Sequence, residues 1–271
     1  MDASQAIRPR RVRILALVLT ALSLGVVGVS AFLRLQGAGL GCADWPACYG
    51  QLLAAATHSP PPVGRLIHRI VATSALLLAI ALAWYVLRPR PLPPLVRPVL
   101  ALLGLMLFLS VVGIWSADPR RTLVNFINLV GGLGLVSMSW RIVMASTEAG
   151  MPGRTSSSPA LAAGMILLAA TVILGALIGA SYAALDGSAG GTALHWLHRI
   201  GAVIAVLLLG QAAFKRLDSM ASKVLLGLLG LEILLGAITV MGDFPLWAAV
   251  GHNVAAAALL ASAAQFRRTS A

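Results

Sequence analysis

Eight apolar stretches follow one another along the chain, at roughly 14–33, 66–87, 95–115, 123–144, 160–182, 194–214, 223–242 and 246–264. Each runs to about 20 residues, the length a helix needs to cross a hydrocarbon core about 30 Å thick. The pattern predicts an all-α integral membrane fold with eight transmembrane helices. Arg8, Arg10, Arg11 and Arg13 precede the first stretch, as in the basic start of a signal peptide. The apolar run that follows exceeds the roughly 7–15 residues of a signal-peptide core, so the segment is expected to be a retained anchor.

Polar and helix-breaking residues collect at 145–159, where Gly150, Pro152, Gly153, Ser156, Ser157, Ser158 and Pro159 read as a linker. It divides the chain into an amino-terminal half, 1–144, and a carboxy-terminal half, 160–271, of four spans each. Because four is even, both halves begin on the same side of the membrane. Any repeat between them is therefore parallel, related by an axis along the membrane normal. Such a repeat is visible. His68-Arg69-Ile70 opens the second span and His198-Arg199-Ile200 opens the sixth. Asp118-Pro119 follows the third span, and Asp243-Phe244-Pro245 follows the seventh. Asn128 in the fourth span stands where His252 stands in the eighth. The expected architecture is two parallel-repeat four-helix bundles.

Composition agrees with a membrane protein and excludes a soluble enzyme. Of 271 residues, 59% are apolar and 10% charged, against about 25% charged in soluble domains; the mean hydropathy is +0.92. The net charge of +12 would suit a nucleic-acid partner, but its placement points elsewhere. With the N-terminus inside, Arg8, Arg10, Arg11, Arg13, Arg88, Arg90, Arg97, Arg141, Arg154, Lys215, Arg216, Lys223, Arg267 and Arg268 are cytoplasmic. Arg34, Arg65, Arg69, Arg120, Arg121 and Arg199 fall outside. This excess obeys the positive-inside rule, puts both termini in the cytoplasm, and makes the charge a topology signal.

Of five histidines, His58 lies in the first outer loop and has no assigned role; His68, His195, His198 and His252 lie near the outer ends of spans two, six and eight. Ionisable groups at that depth are functional candidates. His198 and His252 enter from the same side on parallel spans, so two imidazoles at one depth can clamp a planar haem as a low-spin, electron-transferring centre. Zinc would want a third or fourth ligand; His195, three residues before His198, is a candidate for that ligand or for a haem-edge contact. In the amino-terminal half His68 faces Asn128, and an amide is a poor haem ligand. Any haem there would keep an open or weakly held sixth position; alternatively this half has lost its haem and Asn128 packs or bonds between helices. Cys42 and Cys48 in the first outer loop face an oxidising compartment, which favours a disulfide, either a loop staple or a redox-active pair. Glu232, mid-span, is either an interhelical bonding group or a proton relay. Arg65, Arg69 and Arg199 either pair with haem propionates or snorkel to the headgroups.

The run from Phe32 through Arg34-Leu35 to Cys42-Ala43-Asp44-Trp45-Pro46-Ala47-Cys48 resembles the loop after the first span of bacterial haem A synthases, which usually reads Arg-Leu-Thr-Gly-Ser-Gly-Leu-x-Cys-Pro-Asp-Trp-Pro-x-Cys. The paired His-Arg motifs, the two four-span halves and His252 fit the same family. The resemblance implies an eight-helix enzyme of the bacterial inner membrane. Such an enzyme oxidises a methyl group of haem O to the formyl of haem A, for cytochrome oxidase biogenesis. It implies a haem b on His198 and His252, a substrate haem O held by His68 beside Asn128, and a cysteine pair at Cys42 and Cys48. The implied partners are haem O as substrate, haem O synthase, oxidase assembly factors and membrane lipid, with no nucleic acid. The chain departs from the family pattern twice: Asn128 replaces a histidine, and Arg65 replaces a glutamate thought to be catalytic. The alternative function is therefore a catalytically degenerate haem-binding protein that serves oxidase assembly or haem handling. A third reading is a secondary transporter built from parallel repeats. Few Gly or Pro breaks interrupt the spans, and the polar groups gather at one outer depth, which argues against it.

Overall fold

A computed structural model describes residues 3–36, 62–118, 120–147, 159–183, 192–242 and 244–269. The described chain is helical: α1 (Ala3–Leu35), α2 (Pro62–Leu87), α3 (Pro93–Val112), α4 (Thr122–Thr147), α5 (Pro159–Ala183), α6 (Thr192–Phe214), α7 (Met220–Met241) and α8 (Leu246–Thr269). A short 3-10 turn, Gly113–Ala117, tightens the end of α3. All eight helices are long and apolar enough to cross a membrane. The linker residues 148–158 and the outer loop 37–61, with Cys42, Cys48 and His58, lie outside the described residues.

The helices extend beyond the apolar runs where a partner satisfies their ends. α1 starts well before its apolar stretch, and the guanidinium of Arg8 donates to the carbonyls of Tyr85 (2.7 Å), Arg88 and Arg90 (2.6 Å). The last carbonyls of a helix have no partner of their own, and a cation there also opposes the negative end of the helix dipole. Within the spans, Thr20, Ser23, Ser110, Ser181 and Thr239 donate their hydroxyls to the carbonyl one turn back. Polar side chains thereby stay satisfied among apolar neighbours.

Sequential neighbours pack within each half, α1 on α2, α2 on α3 and α3 on α4, then α5 on α6, α6 on α7 and α7 on α8. Three apolar clusters result. One joins α1–α4 around Leu19, Leu82, Leu102 and Ile142; one joins α5–α8 around Leu209, Leu225 and Phe266. The third lies where α1, α4, α5 and α8 meet, around Val27, Leu133, Ala176 and Ala257. Large apolar side chains such as Leu77, Trp84, Ile166 and Leu207 face outward, as lipid contact requires. Lipid tails give no hydrophobic drive between helices, so close packing through small residues has to hold them. α8, with Ala255–Ala258 at its middle, is the most enclosed helix. Two polar links tie it to the other half: Trp140 Nε1 donates to Gln265 Oε1 at 3.0 Å, and Arg34 Nη2 donates to Asn253 Oδ1 at 3.2 Å.

Candidate functional site

Two histidines meet between α6 and α8. The ring centres of His198 and His252 are 6.5 Å apart, with planes at 89°. Each ring is held through Nδ1. His198 Nδ1 lies 2.9 Å from the carbonyl oxygen of Thr171 on α5. A carbonyl only accepts, so this nitrogen carries the proton. His252 Nδ1 lies 2.7 Å from Glu232 Oε2 on α7, an oblique approach at ion-pair distance without the alignment of a hydrogen bond. With Nδ1 turned to an acceptor on both rings, Nε2 is the nitrogen left for a ligand, the arrangement by which metal-binding histidines are oriented.

Glycines make room for these rings. A Cβ on Gly175 would lie 2.7 Å from Cε1 of His198, so only the bare backbone of α5 admits the ring there. One turn earlier on α5 stands Thr171, whose hydroxyl occupies the space over Gly201 that a Cβ would take at 2.6 Å. α5 and α6 thus interlock around His198. Gly236 on α7 lies under the His252 ring in ordinary contact.

The 6.5 Å between ring centres leaves room for one metal ion, since metal–imidazole bonds run about 2.0–2.1 Å and each ring centre lies about 1 Å behind its nitrogen. Among the described residues no group of three or more His, Cys, Asp or Glu is placed to hold a metal ion, so His195 adds no third ligand. Two protein ligands suit a cofactor that brings its own equatorial nitrogens better than a bare ion that wants three or four.

A second site lies in the other half. A cavity of about 590 Å³ opens between α1, α2, α3 and α4 and reaches α8, a size typical of small-molecule pockets. His68 and Asn128 both line it, as do Arg34, Arg69, Ser110 and Asn253, among apolar side chains from Val27, Leu109 and Leu129. The amide nitrogen of Asn128 is buried with no acceptor. A buried donor without a partner is costly, and here it faces space that a ligand can fill. Arg65, one turn before His68 on α2, is not part of the lining; its Nε is likewise buried without an acceptor. Sequence reasoning missed Arg34 and Asn253 at this site. Arg34 counted there only as an outer charge, and Asn253 was overshadowed by its neighbour His252.

The family model described as cytochrome oxidase assembly protein matches residues 13–60 and 65–264. The chain belongs to this family. A curated relative, the haem A synthase of Shewanella oneidensis, is 27% identical over 296 aligned positions, covering 87% of this chain and 89% of the relative. The residues matched by the family model include His68, Asn128, His198, His252 and the outer cysteine loop.

Proposed function

We propose that this protein is a haem A synthase-like membrane oxidoreductase that converts haem O to haem A. The observation that carries the reading is the cavity on His68 and Asn128 beside a histidine pair with both Nδ1 atoms held. Methyl-to-formyl conversion is a multi-electron oxidation and needs both a place for the substrate and an electron outlet. His198 and His252 would hold a haem b, which supplies one-electron transfer when bound. Thr171 fixes the orientation and tautomer of His198 through its hydrogen bond, and Glu232 stands at ion-pair distance from Nδ1 of His252. His68 would hold the substrate iron on one face. Asn128 leaves the other face open and offers an amide donor rather than a second strong ligand. Arg65 cannot act as a base, because a guanidinium stays protonated, so proton removal falls to another group or to water.

The same reading takes the two halves, 1–144 and 160–271, as parallel repeats joined by the linker 145–159. Both termini are cytoplasmic in the bacterial inner membrane, and Cys42 and Cys48 are paired outside. Haem O synthase and oxidase assembly factors are the partners it implies. A second reading, a degenerate haem-binding protein for oxidase assembly or haem handling, is favoured by Arg65 and Asn128 at the positions of the family glutamate and histidine.

A reduced-minus-oxidised spectrum of the purified protein, together with haem extraction from cells with and without the gene, tests this. The expected results are a low-spin haem b signal that His198→Ala or His252→Ala removes, and loss of haem A on deletion. Unchanged haem A on deletion, with the low-spin signal retained, favours the degenerate reading. A normal low-spin spectrum in both histidine variants refutes the ligand assignment.

A further inference from the structure

Arg34 ends α1 as one of the most buried charged groups described, only 4% exposed. It lines the amino-terminal cavity. Its Nη2 donates to the neutral Asn253 Oδ1 at 3.2 Å, and its Nε is buried with no acceptor. Among the described residues no carboxylate pairs with it; the acids that do pair, Asp118 and Glu232, face Arg121 and His252. A guanidinium has five donors and does not deprotonate. Burying it without a counter-charge is expensive. The carbonyl end of α1 offers partial negative charge, which is a fraction of a full anion and acts only within the last turn. Among the described residues that counter-charge is missing, and the cavity is a side from which an anion can reach Arg34.

We propose that Arg34, steadied by Asn253 from the other half, is the anchor for a carboxylate of the molecule that occupies the amino-terminal cavity. This rests on the haem-site reading and deepens it: the carboxylate is a propionate of the substrate haem. The planar fork of an arginine matches a carboxylate with two parallel hydrogen bonds, which gives orientation as well as attraction. With the iron at His68 and one propionate at Arg34, the ring can turn only so far, and one edge of the macrocycle is directed to the reacting position. Apolar lining from Met106, Leu109, Leu129 and Leu135 suits the rest of the ring. Asn253 follows His252 directly, so α8 joins this anchor to the histidine pair.

The test compares ferric protohaem with its dimethyl ester, in which both carboxylates are masked, on the full-length protein in detergent. Occupancy of the amino-terminal site is read from a high-spin, cyanide-binding signal. The low-spin signal of His198 and His252, which Arg34 does not ligate, reports folding. The wild-type protein is expected to prefer the free acid over the ester by about ten- to a hundredfold, as charged hydrogen bonds imply. Arg34→Gln, which removes the charge but keeps an amide, should bring the ratio close to one, and Arg34→Lys should leave an intermediate ratio. Equal binding of acid and ester by the wild type overturns the anchor while the haem site stands. An undiminished ratio in Arg34→Gln also overturns it, and means that another group, such as Arg69 in the same lining, holds the carboxylate. No high-spin haem in the wild type, with the low-spin haem intact, overturns the haem-site reading and the anchor with it. The wild-type comparison decides even if a variant fails to fold.

Discussion

Nδ1 of His252 lies 2.7 Å from a carboxylate oxygen of Glu232, the one acidic side chain within α7. Glu232 is only 12% exposed and His252 31%, so the contact sits largely out of solvent. A carboxylate behind a ligating imidazole sets the ring's orientation and raises its basicity. Glu232→Ala should weaken haem retention at this site by about 10–100-fold, the usual cost of losing such a partner. The midpoint potential of the remaining low-spin haem should rise, because a less basic ligand stabilises ferric iron less. Glu232→Gln, whose amide oxygen still accepts, should fall between. Potentiometric titration decides: equal potentials in all three proteins would mean that Glu232 only packs between helices.

Gly175 gives an independent check on His198. A methyl group there would press on Cε1 of the imidazole at 2.7 Å. Overpacking of this kind costs about 1–3 kcal/mol, and the ring is the group that must yield. Gly175→Ala should lower low-spin haem content several-fold while the helical circular dichroism holds. Gly210→Ala, on α6 with nothing within 4 Å of the added methyl, is the control. It should leave the spectrum unchanged and stabilise the helix by up to about 1 kcal/mol. A normal spectrum from Gly175→Ala would show that His198 is not held in this position when haem is bound.

Much of the architecture is legible in the sequence because each span carries its own signal: an apolar run of sufficient length with breakers at its ends. The approach of His198 and His252 was legible too, since parallel spans bring equal depths together. The partners of these rings were not. Glu232 was readable as an interhelical group, but which histidine it meets depends on the rotation of α7 about its axis, and an almost uniformly apolar helix does not encode that rotation. Arg34 was left without a role for a related reason: the sequence shows it only as one of the outer charges. Its partner Asn253 lies 219 residues further along. A cavity, likewise, is a property of packed helices and has no counterpart in a linear pattern.

The cysteine pair rests on sequence and compartment. If Cys42 and Cys48 face an oxidising exterior and are joined, both should resist alkylation in the intact protein and label fully after reduction. Mass shifts with a maleimide reagent, before and after dithiothreitol, read this directly. Complete labelling without reductant would exclude the disulfide. Full haem A production by a folded Cys42→Ser protein would reduce the pair to a staple.

Asn128 and Arg65 part the catalytic from the degenerate reading. Asn128 lines the cavity with His68 and buries an amide nitrogen that lacks an acceptor. If the half is catalytic, the wild-type protein holds a second haem through His68 alone. That haem should be high-spin and should take cyanide or carbon monoxide at its open face. Asn128→His then supplies a second imidazole, so the high-spin signal should turn low-spin and external ligands should no longer bind. If the half is degenerate, the wild-type protein carries one haem and binds no external ligand. The pair Asn128→His with Arg65→Glu, which rebuilds the family pattern, should then gain a second haem that the parent lacks. Haem-to-protein ratios and carbon monoxide difference spectra on the two proteins separate these outcomes. We expect the first, because the cavity is present beside His68; a wild-type ratio of one haem per chain with no carbon monoxide complex would establish the second.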